Sequence, residues 1–529
     1  MKTRIETIVD TDNGVQISHV RLDSPLPPGF PECPAGLGEL GYLRYRLVAG
    51  PSMEDADAIL VMQPGTWAGA QSMDRLARNV VRRAAAHGRS IEWWSLSRRS
   101  EGATDRAGIH AAYAAGDPTV AIDYYFGRKS LNGKVFEGFR RGDDLRFLAE
   151  LGLQQVVLDQ HEVLTRELPD PDLRRAKVFC GGHSLGGLLA GAYAAWDLDG
   201  RPGHDQCAGL IAIDTLVSPD PLGLGERRWG NTASKAADRL HSAILSGLRR
   251  GAIPRATPLG ATTMAQFATL VHILGLAAAC HGDTETDVHL RLPRTPGWEL
   301  FLRLPGARRY RDLLRTDTSI RALDLTGEAL LGLIAGQPFD VLLADLGTLD
   351  GPTLPRTTFP VPPAAHRLPG LGRTLRALFG SPTSSPTDPT ARYRWKPGGS
   401  GDLPAIAHQL ATGPLSTFET YFPMRIHYDL WTALAGARTA DLADYRHAET
   451  ASTLPTLHAL SDPARFVPEA LRLTGLTPPS ASYAPGYGHL DMVTATDHPT
   501  EPVTTAFTNF LLEHVPTREA SLLGNPESA

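Results

Sequence analysis

The run Val178-Phe179-Cys180-Gly181-Gly182-His183-Ser184-Leu185-Gly186-Gly187, followed by LLAGAYAAW, constrains the fold more than any other part of the chain. It opens as a short apolar strand and continues, past Ser184, as an Ala/Leu-rich helix. Between the two lies G-x-S-x-G, as Gly182-His183-Ser184-Leu185-Gly186. A strand that passes into a helix over so few residues turns abruptly, with the residue at the turn in strained backbone geometry. Side chains two positions before and after it would collide with the crowded turn, hence the glycines. Ser184 is then lifted above the sheet edge at a helix N-terminus, where free N–H groups and the helix dipole favour developing negative charge. By itself the motif describes an ordinary turn, because glycine and serine are common; the strand before it and the helix after it supply the context.

The rest of the first half agrees. Strand and helix signals alternate, which argues for a mostly parallel sheet covered by helices. Strands are expected at Tyr42 to Val48, Ala58 to Met62, Ser90 to Leu96, Lys177 to Gly181 and Gly209 to Ile213, with a helix over Ser72 to His87. Around Pro219 this rhythm stops. Amphipathic helices follow, at Ala233 to Arg250, Met264 to Ala279 and Ser319 to Ala335, and then a Pro/Gly/Ser/Thr-rich stretch from about Gly347 to Pro404 whose composition reads as a linker or an arm laid over other structure. Strand character returns at Leu454 to Leu460, and a closing helix fits Glu501 to His514. The organisation expected is therefore an α/β core in two pieces, 1–218 and 446–529, with a mainly helical insertion over 219–445 the size of a separate domain.

Composition excludes several partners. Against 57 acidic residues stand 52 Lys and Arg, a formal charge of −5, which gives no electrostatic reason to expect nucleic acid or an anionic membrane. The longest apolar stretch, about Phe267 to Cys280, is short for a bilayer and is interrupted by His272 and Gly275, so no stable membrane insertion is expected. The N-terminus has no apolar signal segment, which makes a cytoplasmic location the expectation. The four cysteines have no C-x-x-C spacing, and Cys180 and Cys207 read as small core residues.

A serine nucleophile needs a base, and the base needs an orienting carboxylate. Downstream of Ser184 the chain offers an aspartate past a strand end and then a histidine in a loop. The strand Leu454 to Leu460 runs into Ser461-Asp462-Pro463, which puts an Asp just past a strand end. His489 follows in the Gly-rich loop Pro485-Gly486-Tyr487-Gly488-His489, before the closing helix. Asp462 is preferred as the acid because it directly precedes the His489 loop; Asp214, at the end of the strand after the elbow, is its rival. Asp491 reads as a local loop-fixing residue. The negative oxygen formed in acyl transfer needs preorganised donors. The Leu185 N–H would be one, and the Thr66 N–H, in the loop Met62-Gln63-Pro64-Gly65-Thr66-Trp67, the other. Trp67 is the second choice for that donor, and Trp67 and His183 are candidates for substrate contact.

Together GGHSLGG, QPGTWAGA, SDPARFVP and GYGHLDMV resemble the α/β-hydrolase superfamily in its capped, bacterial lipase/esterase-like branch, over about 40–218 and 446–515. Trp93-Trp94-Ser95-Leu96-Ser97-Arg98-Arg99-Ser100 is similar to a segment that often reads D-R-R-S in a group of bacterial hydrolases, with Ser97 in the place of the acidic residue. The resemblance implies the α/β-hydrolase fold, with a cap inserted after its sixth strand. It also implies a serine hydrolase that uses Ser184, Asp462 and His489 to cleave a small-molecule carboxylic ester with a sizeable apolar part, without metal or organic cofactor. An acyltransferase or lyase on the same fold, or a catalytically silent ligand-binding protein, are the alternatives. The oligomeric state is not legible.

Overall fold

In the computed structural model the described residues are 3–217, 231–259, 262–335, 345–355, 384–451, 453–462, 464 and 481–516. Their main sheet has nine strands. In chain order these are β1 (Arg4–Asp12), β2 (Val15–Asp23), β3 (Glu39–Leu47), β4 (Ala58–Gln63), β5 (Ile91–Ser97), β6 (Val178–His183), β7 (Gly209–Ile213), β8 (Thr456–Ser461) and β9 (Ser482–Ala484). Their order across the sheet is β1-β2-β3-β5-β4-β6-β7-β8-β9. From β5 to β9 every neighbouring pair is parallel, whereas β1, β2, β3 and β5 pair antiparallel.

The central strands are buried on both faces, as parallel strands covered by helices must be. Ile59 and Val61 of β4 join one apolar cluster, with the helices Leu153–Glu167, Leu185–Ala195 and Arg425–Leu434. Ala58, Leu60 and Met62 point the other way, into a cluster with the helices Asp74–Ala86 and Pro502–His514. Each such buried aliphatic side chain contributes about 1.5–3 kcal/mol, so the strand tips rest on a rigid base. The chain crosses outward from β4 to β5 and then returns to place β6 on the other side of β4. Such a reversal of strand order, here at the carboxyl ends of β4 and β6, is where ligands of open α/β sheets bind.

Two departures from the sequence expectations concern organisation. A long hairpin, β1 and β2, precedes the first expected strand; its turn, Asn13-Gly14, has φ of 47° and 80°, the pair of positive values that a two-residue hairpin turn requires. Counted with it, Gly209–Ile213 is the seventh strand in chain order, and the long insertion leaves the sheet after it. Packing also crosses the expected bounds of the insertion, 219–445. Its own apolar core, built on the helices Met264–His281, Gly327–Ala335 and Leu403–Thr412, recruits Ile109, Tyr124, Tyr125 and Phe136 from the segment between β5 and β6. Conversely Phe422, Ile426, Leu430 and Tyr445 pack with the sheet.

Met264–His281 is the one helix among the described residues long and apolar enough to cross a membrane, and 72% of that window is buried within the protein. Its Gly275 allows close packing, since a Cβ there would collide with Leu410. The Pro-rich stretch, expected as linker or arm, is structured at both described ends. Arg392–Lys396 pairs with Thr348–Asp350 and Asp324–Leu325 in a small sheet, and inserts Tyr393 and Trp395 into the insertion's core. Residues 356–383 and the Pro463 turn lie outside the described residues.

Candidate active site

Ser184 stands between the end of β6 and the helix Leu185–Ala195 with φ 55° and ψ −121°. This is a strained conformation for a residue with a side chain, of the kind that persists where surrounding structure enforces it. The surroundings are visible. A Cβ on Gly182 or on Gly186 would collide with the Gln63 carbonyl, so β4 and the helix approach as closely as they do only with glycine at both positions. The Ser184 N–H donates to Ile213 O at 2.9 Å, which ties the turn to the tip of β7. Flanked by buried His183 and Leu185, Ser184 is itself partly exposed.

The next residue after Ile213 is Asp214, also at positive φ (51°). Its N–H donates to Ala459 O at 2.7 Å, and its Oδ1 accepts the Ser461 N–H at 2.7 Å, so it leans across the tip of β8. Its Oδ2 accepts from His489 Nδ1 at 2.5 Å. The imidazole's partner is thus Asp214 and not Asp462, which the chain order had favoured. Asp462 meets the backbone of the His489 loop instead: its Oδ2 accepts the Gly486 N–H at 2.5 Å, and its own N–H donates to Tyr487 O at 3.2 Å. The physical reason is lateral. β7 lies between β6 and β8, so its tip is one strand nearer to Ser184 than the tip of β8. Burial pushes the Asp214 carboxyl up, but the hydrogen bond and charge of His489 and the Ser461 N–H outweigh it, and the net shift is below the usual carboxylate value.

A carboxylate only accepts, so in the neutral form of the His489 imidazole the proton sits on Nδ1 and Nε2 carries the lone pair. The ring is kept beside the elbow by His183, whose imidazole packs at 4.4 Å between centroids. His183 Nε2 donates to His489 O at 3.0 Å. Burial, with the neighbouring His489, lowers His183 to about 3, so it is neutral. His183, 2% exposed, therefore packs on the His489 ring and holds its backbone carbonyl. Asp491 fixes the loop: its Oδ2 accepts the Gly488 N–H at 2.6 Å, and its Oδ1 accepts the Asp345 N–H at 2.7 Å and the Ser400 hydroxyl at 2.5 Å. The insertion is thereby fastened to the histidine loop.

Leu185, the first residue of its helix, has an N–H with no intrahelical acceptor. Across from it lies the β4 loop: a Cβ on Gly65 would stand 3.1 Å from Ser184 Cβ. Thr66 follows, its hydroxyl 3.1 Å from His427 Nε2 on the helix Arg425–Leu434. Burial, helped by the Arg98 charge, lowers His427 to about 4, so it too is a neutral imidazole. Trp67, at φ 59°, is 39% exposed, and its indole N–H donates to Thr257 of the insertion at 2.7 Å. The sequence reading had no signal for His427, which lies in the insertion; Arg98, which bonds this loop, lay within the segment it singled out. Among the described residues no cluster of three or more His, Cys, Asp or Glu is placed to hold a metal ion.

A mostly parallel sheet with order reversal at β4, a strained serine elbow after β6 and a histidine loop before the last helix decide the architecture. The chain has the α/β-hydrolase fold. Solved structures to which it is similar include the peroxisomal α/β-hydrolase Lpx1 from Saccharomyces cerevisiae (12% identity over 98% of this chain and 92% of that one, TM-score 0.33). Juvenile hormone epoxide hydrolase from the silkworm Bombyx mori is another (11%, 96% and 80%, TM-score 0.33). A third is the hypothetical protein PA1622 from Pseudomonas aeruginosa PAO1 (13%, 89% and 95%, TM-score 0.29). No protein-family model matches the chain, and no curated protein sequence does.

Proposed function

We propose that the protein is a serine hydrolase that cleaves small-molecule carboxylic esters with a sizeable apolar part, by a two-step acyl transfer. The observation that carries this reading is Ser184 in the strained elbow, bonded through its N–H to the residue before Asp214, while Asp214 holds the proton-bearing Nδ1 of His489. His489 Nε2 takes the Ser184 proton as Oγ attacks the ester carbonyl, and the imidazolium formed is stabilised by ionised Asp214. The N–H groups of Leu185 and Thr66 meet the oxyanion. His489 then gives its proton to the leaving alkoxide, and in the second half activates water to release the acid. The half-exposed Trp67, and Leu490, which packs against the insertion's apolar core next to His489, support an apolar portion in the substrate.

The test uses the wild type and Ser184→Ala with a fluorophosphonate probe and a chain-length series of p-nitrophenyl esters. Labelling is expected to vanish in the variant, and turnover to fall by about 10⁶-fold, the scale seen when such a nucleophile is removed. Labelling that persists in the variant, or a folded wild type that neither labels nor turns over, would overturn the reading.

A further inference from the structure

The loop after β4 has its carbonyl groups gathered by one side chain. Arg98 leaves the end of β5 with its side chain 4% exposed. Its Nη2 donates to Pro64 O at 2.5 Å and Gly65 O at 2.9 Å, and its Nη1 to Ala68 O at 2.9 Å. Glu419, 1% exposed, completes the group. Its Oε2 accepts from Arg98 Nη1 at 2.6 Å, its Oε1 accepts the Ser100 hydroxyl, and its backbone N–H donates to Trp67 O at 2.7 Å. Phe422 lies 5.2 Å from the guanidinium carbon. The segment of Glu419 is paired with the loop: Gly69 N–H donates to Thr417 O at 2.9 Å, and Ala68 bridges Phe418.

A trans peptide is planar, with its C=O and N–H pointing in opposite directions. Holding the Gly65 carbonyl on Arg98 therefore turns the Thr66 N–H away from Arg98, on a loop whose Gly65 lies against Ser184. A flip of the Gly65–Thr66 peptide turns ψ of Gly65 and φ of Thr66, and the Gly65 carbonyl is held against it by Arg98 and by the Ala68 N–H at 3.3 Å. A flipped peptide would present a carbonyl oxygen where an oxyanion forms, and electrostatic stabilisation would become repulsion. Charge-assisted bonds from a planar fork, buried and anchored by a carboxylate, oppose that flip.

We propose that Arg98, held by Glu419, is a positioning residue that presets the Thr66 N–H as an oxyanion donor. This rests on the acyl-transfer reading above. A purely structural ion pair would affect folding or binding; a positioning role acts on the transition state alone. A lysine at 98 keeps the charge but cannot hold three carbonyls and Glu419 in one plane.

The experiment compares wild type, Arg98→Lys and Glu419→Gln, all full length, with kcat and KM per folded molecule on a p-nitrophenyl ester. Inhibition by a trifluoromethyl ketone, which forms a tetrahedral oxyanion on serine, is measured beside that by the matching methyl ketone. Arg98→Lys is expected to lose about 10²-fold in kcat, the scale of one oxyanion donor, with KM nearly unchanged. Trifluoromethyl ketone affinity should fall by a similar factor while methyl ketone affinity stays. Glu419→Gln is expected to show a smaller loss of the same kind, and it decides the matter if Arg98→Lys fails to fold. Unchanged kcat in the folded variants, or a loss confined to KM, overturns the proposal. A wild type without Ser184-dependent turnover overturns the acyl-transfer reading itself, and is seen before any Arg98 variant is made.

Discussion

The tips of β7 and β8 lie side by side in the sheet, each is followed by an aspartate, and the two carboxylates do different things. Asp214 is 3% exposed at its side chain, sits at positive φ and takes the imidazole N–H of His489. Asp462, one strand farther from Ser184, is partly exposed and holds the backbone of the loop that carries His489, through the Gly486 N–H. The first touches the ring that would move protons; the second touches the loop that brings the ring. Similar chemistry at neighbouring strand ends is thus divided by a single strand spacing, about 4.8 Å, between holding the His489 ring and bracing its loop.

Asparagine at each position separates the two roles. Asp214→Asn is expected to lower kcat by about 10³–10⁴-fold, because an amide can offer a donor to Nδ1, favour the wrong tautomer and leave the imidazolium without its counter-charge. Asp462→Asn keeps an acceptor for the Gly486 N–H, exchanging a charge-assisted bond for a neutral one. Its expected cost is about 1 kcal/mol of stability and less than about tenfold in kcat, through a looser histidine loop. Steady-state kinetics with p-nitrophenyl esters and denaturant titration of both variants check this. Equal kinetic losses would break the comparison and return Asp462 to the triad.

The same contrast explains what the sequence discloses. The elbow is a local object: Gly182, Ser184 and Gly186 are required by contacts within one strand-turn-helix and one neighbouring strand, so residue types at fixed spacing announce it. The strands Ala58–Gln63 and Gly209–Ile213 announce themselves likewise, as apolar runs ended by turn residues. The partner of His489 is not local. Chain order points to Asp462, whereas the residue that meets His489 is set by lateral strand order and by the lean of Asp214 over Ser461, neither of which is written in spacing. The insertion's contributions, Glu419 on Arg98 and His427 on Thr66, are equally non-local. The amino-terminal hairpin is local too: Asn13-Gly14 between alternating residues is the strongest short-range hairpin signal. In the Pro-rich stretch, composition outweighed the alternation of Arg392–Lys396, whose Tyr393 and Trp395 are core residues.

The smallest expected effect concerns pH and sets Asp214 against a third carboxylate, Asp491. Asp214 has its carboxyl below the ordinary value in the folded protein: burial raises it, but His489 and the Ser461 N–H lower it further. An unfolded aspartate titrates near 3.9. The unfolded state therefore binds the proton first as pH falls, so the stability that this carboxylate contributes is full above about pH 5 and is lost as pH drops through the native value. Asp491 has the opposite sign. Its burial raises it above the ordinary value, and the bonds from Ser400, Gly488 and Asp345 only partly compensate. The native state then holds the proton more tightly, and stability from this group declines as pH rises through its native value. Denaturant-derived stability from about pH 3 to 7, for wild type, Asp214→Asn and Asp491→Asn, resolves the two slopes. The wild-type minus Asp214→Asn difference should shrink on acidification, and the wild-type minus Asp491→Asn difference should grow. Parallel curves would mean that the imidazole contact of Asp214 does not stabilise its charged form, and the distinction between the tip of β7 and its neighbours would lose its electrostatic half.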